Sequence, residues 1–500
     1  MKNTLINNYQ EYFYKSVNIL YEKKIIKPIY WLTSKNIEKR VNTNFPEAYT
    51  HDYLDCAKGK LLKNIKEDLS LKIDTEFLNK FQKHEFIVMN LLERNNAHSN
   101  SLNYLERKDF FYKLLRYWYS VIKSLNIELV IFEEEPHQAS DYVLYIIAKY
   151  LDIKTHITIR TFPELGFLVT DDIEILDKAL NKLNNTKKDH ELKISKILLN
   201  MINNINGDFD KAIKIRLYDQ EELHNKKSNI YSLKILKKIP SYLIQLFKFR
   251  SDQKVVNSNF ENSNLSYLGY LISKIYLINK KRKRRIYYES IAQKQINIKE
   301  NFILFGLQYQ PEKSTCPNGG YFVDQILAIK LLSQLVPNNY KIYVKEHPSQ
   351  FVSSYARYGD RMRDLNFYEK ILNIEKVSII SSKEDTFKLI DNCKFVASVG
   401  GSICIESAIR GKPALQFGRS WYDSCEYIFQ IKNKEDLIKI FSREEKINVD
   451  TEKVTSFLKK IDLLAYKGAI GGHIHLKNLN ISINQNAKIH SDALEAHLND

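Results

Sequence analysis

The sequence predicts an α/β protein with two parallel-sheet domains, and three observations predict it. Its 500 residues exceed the length over which a single hydrophobic core keeps growing. Apolar runs of strand length alternate with segments of helical periodicity in residues 126–160, and again from residue 301 onward. Between these regions, from about 175 to 295, no apolar strand stands out and basic helical segments dominate. We therefore expect two α/β domains and a helical insertion.

The amino-acid composition limits the kinds of partner and the cellular compartment that we expect. Lys and Arg outnumber Asp and Glu by 76 to 59, a net charge of +17, which favours nucleotide phosphates, anionic lipid headgroups, nucleic acid or an acidic glycan. The five cysteines form no CxxC pair and no metal-ligand spacing, which is typical of reduced thiols in a cytosolic protein. No stretch approaches the roughly 20 apolar residues that span a bilayer. We expect a cytoplasmic protein that is soluble or peripheral on the inner membrane face.

The first α/β unit is a strand, a helix and a strand. IELVIFEEE (127–135) is a continuous apolar run that ends in acids, as in a buried parallel strand. ASDYVLYIIAKYLDI (139–153) has helical spacing, and THITIR (155–160) is the next strand, so the order predicts a right-handed crossover. Upstream, IIKPIYWLT (25–33) is predicted as the first strand and FFYKLLRYWYSVIKSL (110–125) as an amphipathic helix.

The alternation returns in the second half and predicts a Rossmann-like domain. The predicted strands or strand ends are NFILFGLQ (301–308), YKIYVKEHP (340–348), VSIISS (377–382), CKFVASVG (393–400) and PALQFG (413–418). The intervening helices are FVDQILAIKLLSQL (322–335), DTFKLI (385–390) and SICIESAIRG (402–411). We place an N-terminal domain at 1–295, which contains the insertion at about 175–295, and a C-terminal domain at 296–455. Residues 456–500 are expected to pack back on the N-terminal domain as a helix and tail.

Polar residues follow two strands of the second domain, where open α/β sheets bind ligands. The loop after 301–308 offers Gln308, Gln310 and Ser314 as hydrogen-bonding groups, although an ordinary surface loop is the alternative. At the next strand end, Pro348 restricts the direction of His347, beside Lys345. A cation and an imidazole there suit a phosphate, whereas a lone His is more often structural.

A Gly-rich turn follows a third strand, in SVGGSICIESAIRGKPALQFG (398–418). Gly400, Gly401 and Ser402 lie between strand and helix, so the helix N-terminus is available to an anion. Glu406 follows on the first turns, where it is suited to accept hydrogen bonds from ribose hydroxyls. The alternative is a plain turn with a solvated or capping Glu. Further residues of the segment assigned to the donor site are Ser398, Arg410 and Lys412.

The order of these motifs resembles the capsular polysaccharide biosynthesis proteins. That family includes bacterial transferases that add Kdo, an acidic eight-carbon sugar, from CMP-Kdo. The resemblance is best over 301–422 and looser over 126–172. It implies a GT-B fold, in which two Rossmann-like domains face a cleft, and a metal-independent transfer with a cytidine nucleotide held by the C-terminal domain. The segment QYQPEKST differs from the Kdo enzymes, where acids follow the Gln, so the donor sugar stays open.

The resemblance also implies roles for individual residues. His347 and Pro348 fall on the family's HP element, and Ser398 and Ser402 fall on its phosphate-contacting serines. Two further matches are Glu406, on the helix acid, and Tyr422, on the aromatic residue that follows FG.

Acids close the strand of the first α/β unit. Glycosyl transfer needs a carboxylate near the anomeric carbon, as a base or as a nucleophile. The candidates are Glu134, Glu135, His137 and Asp141. A solvated strand end and an ordinary first-turn acid are the alternatives. Arg160, at the end of the next strand, is predicted to hold a sugar carboxylate or to neutralise these acids.

The predicted function is transfer of a sugar, with a CMP-activated acidic sugar such as Kdo as the first choice, to a bacterial surface polysaccharide or glycolipid. No metal or other cofactor is expected, and no nucleic acid. The basic run 279–285 is either a contact to anionic inner-membrane lipids or a solvated helix face. Two alternatives stay open: a sugar-nucleotide epimerase of the same fold, and a non-catalytic protein that binds anionic membranes or nucleic acid.

Overall fold

The structure is a computed structural model. It describes residues 1–65, 71–95, 102–162, 165–174, 193–208, 267–310, 312–351, 363–471, 476 and 479–499. The chain forms two compact units. The first takes Met1–Asn95, Leu102–Met201 and Ser456–Asp500, and the second runs from Ile202 to Thr455.

The first unit contains a six-stranded sheet. Its strands are β1 (Lys2–Asn7), β2 (Ile26–Thr33), β3 (Tyr49–Asp52), β4 (Leu129–Phe132), β5 (Lys154–Arg160) and β6 (Phe167–Thr170). Its described helices are α1 (Glu11–Glu22), α2 (Lys35–Asn44), α3 (Tyr53–Ala57), α4 (Thr75–Asn95), α5 (Tyr104–Ser124) and α6 (Ala139–Tyr150), followed by α7 (Lys196–Asn206), which crosses the boundary between the units. The strand order is β3-β2-β1-β4-β5-β6, with β6 antiparallel to β5 and the other pairs parallel.

The first strand lies earlier than the sequence analysis placed it. IIKPIYWLT is the second strand, and KNTLIN is the first and the central one. The prediction missed β1 because only two of its six residues are strongly apolar. Thr4 is nevertheless fully buried, and its hydroxyl donates to the carbonyl of Lys2 at 2.8 Å. Burial of a polar residue is tolerated where the group finds such a partner.

The second unit contains the other six-stranded sheet. Its strands are β7 (Asn301–Gly306), β8 (Tyr340–Lys345), β9 (Val377–Ile380), β10 (Phe395–Ser398), β11 (Ala414–Gln416) and β12 (Ile428–Gln430). The described helices from residue 267 onward are α8 (Tyr267–Ile291), α9 (Gln325–Leu335), α10 (Leu365–Leu372), α11 (Thr386–Asn392), α12 (Ser402–Ile409), α13 (Lys434–Phe441), α14 (Thr451–Leu464) and α15 (Ile483–Asn499), of which α14 crosses the boundary and α15 lies in the first unit.

The sheet of the second unit is parallel throughout, in the order β12-β11-β10-β7-β8-β9. In chain order this is 6-5-4-1-2-3, the Rossmann order, and the first unit repeats it. The prediction of an α/β chain with two Rossmann-like domains is therefore confirmed. In such a sheet the chain leaves β7 and β10 in opposite directions, so a crevice opens at their carboxyl ends.

The predicted helical insertion at about 175–295 lies partly outside the described residues. Its described parts include α7 and α8, and α8 carries the basic run 279–285. Within that run Lys281 and Arg284 are buried, whereas Arg282 and Lys283 are exposed. Near the other end of the chain, α15 packs on α1 and β1 through Ala487. None of the helices in the described residues is both long enough and apolar enough to span a bilayer.

Candidate functional site

Three polar side chains meet at the switch point of the second unit. The Gln308 amide Nε2, just after β7, donates to the hydroxyl of Ser398 at the end of β10, at 2.9 Å. Ser398 in turn donates to the carbonyl of Gly306 at 2.7 Å, so its buried hydroxyl is used twice. Ser314 lies 3.4 Å from the Gln308 side-chain oxygen and is a donor to it. The structure thus brings together three residues that the sequence predicted for this site.

The Gly-rich turn after β10 packs directly on this cluster. A Cβ atom at Gly401 would lie 1.9 Å from Nε2 of Gln308, so any side chain there would displace the amide or the turn. At Gly400 the same atom would meet the carbonyl oxygen of Arg419 at 3.2 Å. The Tyr422 hydroxyl donates to the Gly401 carbonyl at 2.5 Å. Because Tyr422 is 1% exposed, it holds the turn from the protein interior and does not face solvent.

The helix that follows this turn differs from its neighbours at its N-terminus. Side chains of Asp324, Asp364 and Asp385 cap α9, α10 and α11 by accepting backbone N–H bonds. Gly401 occupies the same position before α12 and supplies no such bond, and the next residue, Ser402, is exposed. The first-turn N–H groups of a helix and its dipole attract an anion when no side chain satisfies them. This helix start is therefore suited to hold a phosphate.

Glu406 lies one turn further along α12 and is partly buried. Burial raises the pKa of the Tyr422 phenol, and the carboxylate of Glu406 adds to this shift. Glu406 follows Ser402 by four residues on the same helix, so the two side chains lie on the same face of α12. A carboxylate there is positioned to accept hydrogen bonds from hydroxyl groups of a ligand bound at the turn.

Lys345 and His347, at the end of β8, differ in charge. Burial lowers the pKa of Lys345 to about 8, against the acids Glu384 and Asp385, so the ammonium is largely charged at pH 7. Burial, with help from Lys345, lowers the pKa of His347 to about 4. The Nδ1 atom of His347 accepts the N–H of Ser349 at 3.2 Å, which places the proton of the neutral ring on Nε2. The pair thus supplies one cation and one neutral donor.

Beneath these loops lies a buried ion pair that the sequence analysis did not find. Arg363 Nε donates to Oε2 of Glu346 at 3.0 Å, and both side chains are fully buried. Tyr368 donates to the same oxygen at 2.8 Å. The guanidinium also donates to the carbonyl of Gln308 at 3.0 Å and to the side-chain oxygen of Gln310. Gln310 is therefore an interior support of the loop, and Pro348 begins a short 3-10 turn beside it.

Two predicted donor-site residues lie elsewhere. The helix α12 runs from the carboxyl edge of the sheet to the opposite edge, and Arg410 and Lys412 follow its end. Arg410 pairs with Asp391 through Nε at 2.7 Å. Lys412 lines a surface hollow of about 250 Å³ together with Lys394 and Glu444. The structure does not bring these two residues together with the Gly-rich turn.

The acids predicted in the first unit lie after β4. Glu134 is partly exposed, and its Oε1 lies 3.5 Å from Nη2 of Arg160, so the arginine neutralises it. His137 Nδ1 donates to the carbonyl of Glu135 at 2.7 Å, which leaves Nε2 as the basic atom. Asp141 accepts the N–H of the preceding turn at 2.7 Å as part of a helix cap. Its geometry is that of the first-turn alternative.

Glu133 is a residue that the prediction left out. It follows β4 as Asn8 follows β1, so the two lie at the switch point of the first sheet, and the Asn8 amide donates to Oε2. The Gly471 N–H donates to Oε1 at 3.3 Å. Burial, and then the charge of Glu134, raise the pKa of Glu133 to about 8, so it holds a proton at neutral pH. The sequence alone did not distinguish Glu133 from Glu134 and Glu135, because all three are acids that follow the same strand.

The sheets define the class: α/β proteins with two Rossmann-like domains, each with polar residues at its switch point. A family model described as capsule polysaccharide biosynthesis protein matches residues 221–433. This match confirms the resemblance to that family, which the motifs over 301–422 predicted.

Solved structures give a weaker comparison. The UDP-GlcNAc 2-epimerase from Methanocaldococcus jannaschii is 13% identical, with 92% of this chain and 99% of that chain covered and a TM-score of 0.25. The beta Kdo 2,4 transferase of Thermosulfurimonas dismutans is 11% identical, with 66% and 79% covered and a TM-score of 0.27. A glycosyltransferase from Rickettsia africae is 12% identical, with 99% of each chain covered and a TM-score of 0.24. These scores are too low to carry an argument, and no curated protein matches the chain.

Proposed function

We propose that this protein is a glycosyltransferase that moves a sugar from a nucleotide donor to a bacterial surface glycan or glycolipid. The observation that carries the proposal is the uncapped start of α12 at the switch point of a Rossmann-like sheet, beside Gln308. The family match supports the glycan chemistry. A CMP-linked acidic sugar such as Kdo is the proposed donor, on the resemblance of the motifs to the Kdo transferases.

The second unit holds the nucleotide in this proposal. Its phosphate binds the N–H groups at the start of α12 and the exposed hydroxyl of Ser402. Lys345 supplies a positive charge and His347 an Nε2–H donor, while Glu406 receives the ribose hydroxyls. As the bond from sugar to phosphate breaks, negative charge grows on the leaving phosphate, and these fixed donors stabilise it. The proposed transfer requires no metal ion.

The first unit supplies the acid–base group. A base takes the proton of the acceptor hydroxyl as the new glycosidic bond forms. Glu134 is the proposed base, since it is partly exposed and its Oε1 lies 3.5 Å from Nη2 of Arg160. Glu133 is a positioning residue in this proposal, because both of its oxygens are bonded within the protein. Contact of the exposed residues Arg282 and Lys283 with anionic inner-membrane lipid is a further part of the proposal.

A thermal-shift panel tests the proposal. A ligand that binds only the native state at 100 times its Kd stabilises that state by about 2.7 kcal/mol. We expect CMP and CMP-sugars to raise the melting temperature more than UDP or GDP does, and His347→Ala or Glu406→Ala to remove the shift. An unchanged melting temperature with every nucleotide would refute the proposed donor site. Conversion of the donor sugar to an epimer without acceptor, followed by NMR, would show a different reaction.

The charge of Lys345 predicts a pH dependence of nucleotide binding. Its pKa of about 8 means that the ammonium loses its proton as pH rises from 7 to 9, and with it the attraction for phosphate. We expect CMP affinity, measured by calorimetry, to fall about tenfold over that range. Lys345→Met should bind weakly at both values and show no such fall. A wild-type affinity that stays constant from pH 7 to 9 would contradict the role given to Lys345.

A further inference from the structure

Two tyrosine rings form a pair at the carboxyl edge of the first sheet. Tyr9 follows β1 and Tyr53 follows β3, and their ring centroids lie 4.8 Å apart at an interplanar angle of 39°. Tyr9 is 41% exposed, and Tyr53 is partly exposed. Both tyrosines therefore present part of their surface to solvent. Open α/β sheets bind their ligands at the carboxyl edge, which is where this pair lies.

The backbone on each side of Tyr9 is held in place. The N–H of Asn8 donates to the carbonyl of Leu32 at 3.2 Å, and the Trp31 indole donates to the carbonyl of Asn8 at 2.9 Å. The side chain of Asn8 then accepts the N–H of Gln10 at 2.6 Å. Tyr9 therefore projects from a loop that is fixed at both neighbours.

Tyr53 is fixed in an equivalent way. Asp52 caps α3, and its carboxylate accepts the N–H groups of Leu54 and Asp55 at 3.0 Å each. Tyr53 is the first residue of that helix, so its direction is set by the cap. Because both rings stand on ordered backbone, a ligand that stacks on them loses little affinity to ordering of the protein.

Carboxyl groups lie near the pair. Neighbouring protein atoms exclude water from the Tyr9 phenol group and raise its pKa, and the carboxyl groups of Glu133, Glu134 and Asp141 add to the shift. Of these three carboxyl groups, Glu134 pairs with Arg160 and Glu133 holds a proton at neutral pH. The combination is an aromatic face with hydrogen-bonding groups beside it.

We propose that Tyr9 and Tyr53 form a saccharide subsite, in which a pyranose ring of the acceptor glycan stacks on the aromatic pair. The C–H bonds on one face of a pyranose carry partial positive charge and pack on the negative face of an aromatic ring. Its equatorial hydroxyls then reach the carboxylate of Glu134, the proposed base. That this saccharide is the acceptor rests on the proposed function, whereas saccharide binding at the pair does not.

Saturation-transfer NMR on the full chain tests the subsite, with neutral methyl glycosides of glucose, galactose and N-acetylglucosamine as probes and choline as the cation probe. We expect at least one glycoside to receive saturation on the C–H protons of one ring face. Tyr9→Ala and Tyr53→Ala should each weaken that binding about tenfold, while Tyr9→Phe retains it. Tyr104→Ala is the matched control, because Tyr104 is 61% exposed on another part of the first unit.

The outcomes separate the subsite from the transferase activity. Glycoside binding that Tyr9→Ala leaves unchanged overturns the subsite, and so does saturation of choline with none of the glycosides. The CMP thermal shift of Tyr9→Ala should equal that of the wild type, which also shows that the variant is folded. Tyrosine-dependent glycoside binding in a protein that no nucleotide stabilises would support the subsite and refute the proposed function.

Discussion

Replacing Arg363 by Met lowers the free energy of unfolding of the second unit by about 3–5 kcal/mol. The substitution leaves the fully buried carboxylate of Glu346 without its cation, and the hydroxyl of Tyr368 cannot neutralise that charge. It also removes the donors to the carbonyl of Gln308 and to the side chain of Gln310, on which the loop after β7 rests. Urea unfolding followed by circular dichroism measures the change.

Arg40→Met is the matched control for this prediction. Arg40 pairs with a glutamate as well, Glu11, which it bonds through two nitrogens, but these two side chains are 45% and 34% exposed. An exposed pair of this kind contributes about 0–1 kcal/mol, so the control should lose no more than that. Equal losses in the two variants would show that burial of the Glu346–Arg363 pair does not set its contribution.

Substituting Gly401 by Ala weakens CMP binding by about 10- to 100-fold, which corresponds to about 1.4–2.8 kcal/mol. The added Cβ atom would lie 1.9 Å from Nε2 of Gln308, so either the amide or the first turn of α12 must move. Either movement breaks the bond from Gln308 to Ser398 or turns the helix N–H groups away from the phosphate. Isothermal titration calorimetry with CMP measures the loss.

Gly411→Ala separates this effect from a general loss of stability. Gly411 lies beyond the other end of α12 with φ +76°, and the nearest atom to an added Cβ is Cγ2 of Thr451 at 3.7 Å. The positive φ makes alanine there cost about 1 kcal/mol of stability, with no atom near the Gly-rich turn displaced. Unchanged CMP affinity in Gly411→Ala is expected. Unchanged affinity in Gly401→Ala as well would remove the turn from the site.

The sequence predicted those strands that are continuous apolar runs. LVIF in β4 and NFILFG in β7 are almost wholly buried, and a parallel sheet covered on both faces demands that pattern. The strand β1 could not be recognised in this way, since the burial of Thr4 depends on neighbours that are distant in the chain. The strand β3, YTHD, contains no run of apolar residues, and in β12, IFQ, only two residues are apolar.

The site could be predicted where one rule sufficed. Strand ends of a Rossmann-like sheet meet at one edge, so Gln308 and Ser398 follow from the strand assignments alone. Arg363 follows from no such rule, because its pairing with Glu346 depends on how the chain returns under the loop. The environment of Glu133 could not be predicted, because it depends on Asn8 and Gly471, which lie 125 and 338 residues away in the sequence.

The location of a bound nucleotide tests the central claim most directly. Crystals soaked with CMP should show phosphate density at the N-terminus of α12, within hydrogen-bond distance of Ser402 and close to His347. Phosphate density at the opposite edge of the sheet instead, in the hollow lined by Lys394 and Lys412, would contradict the proposed nucleotide site.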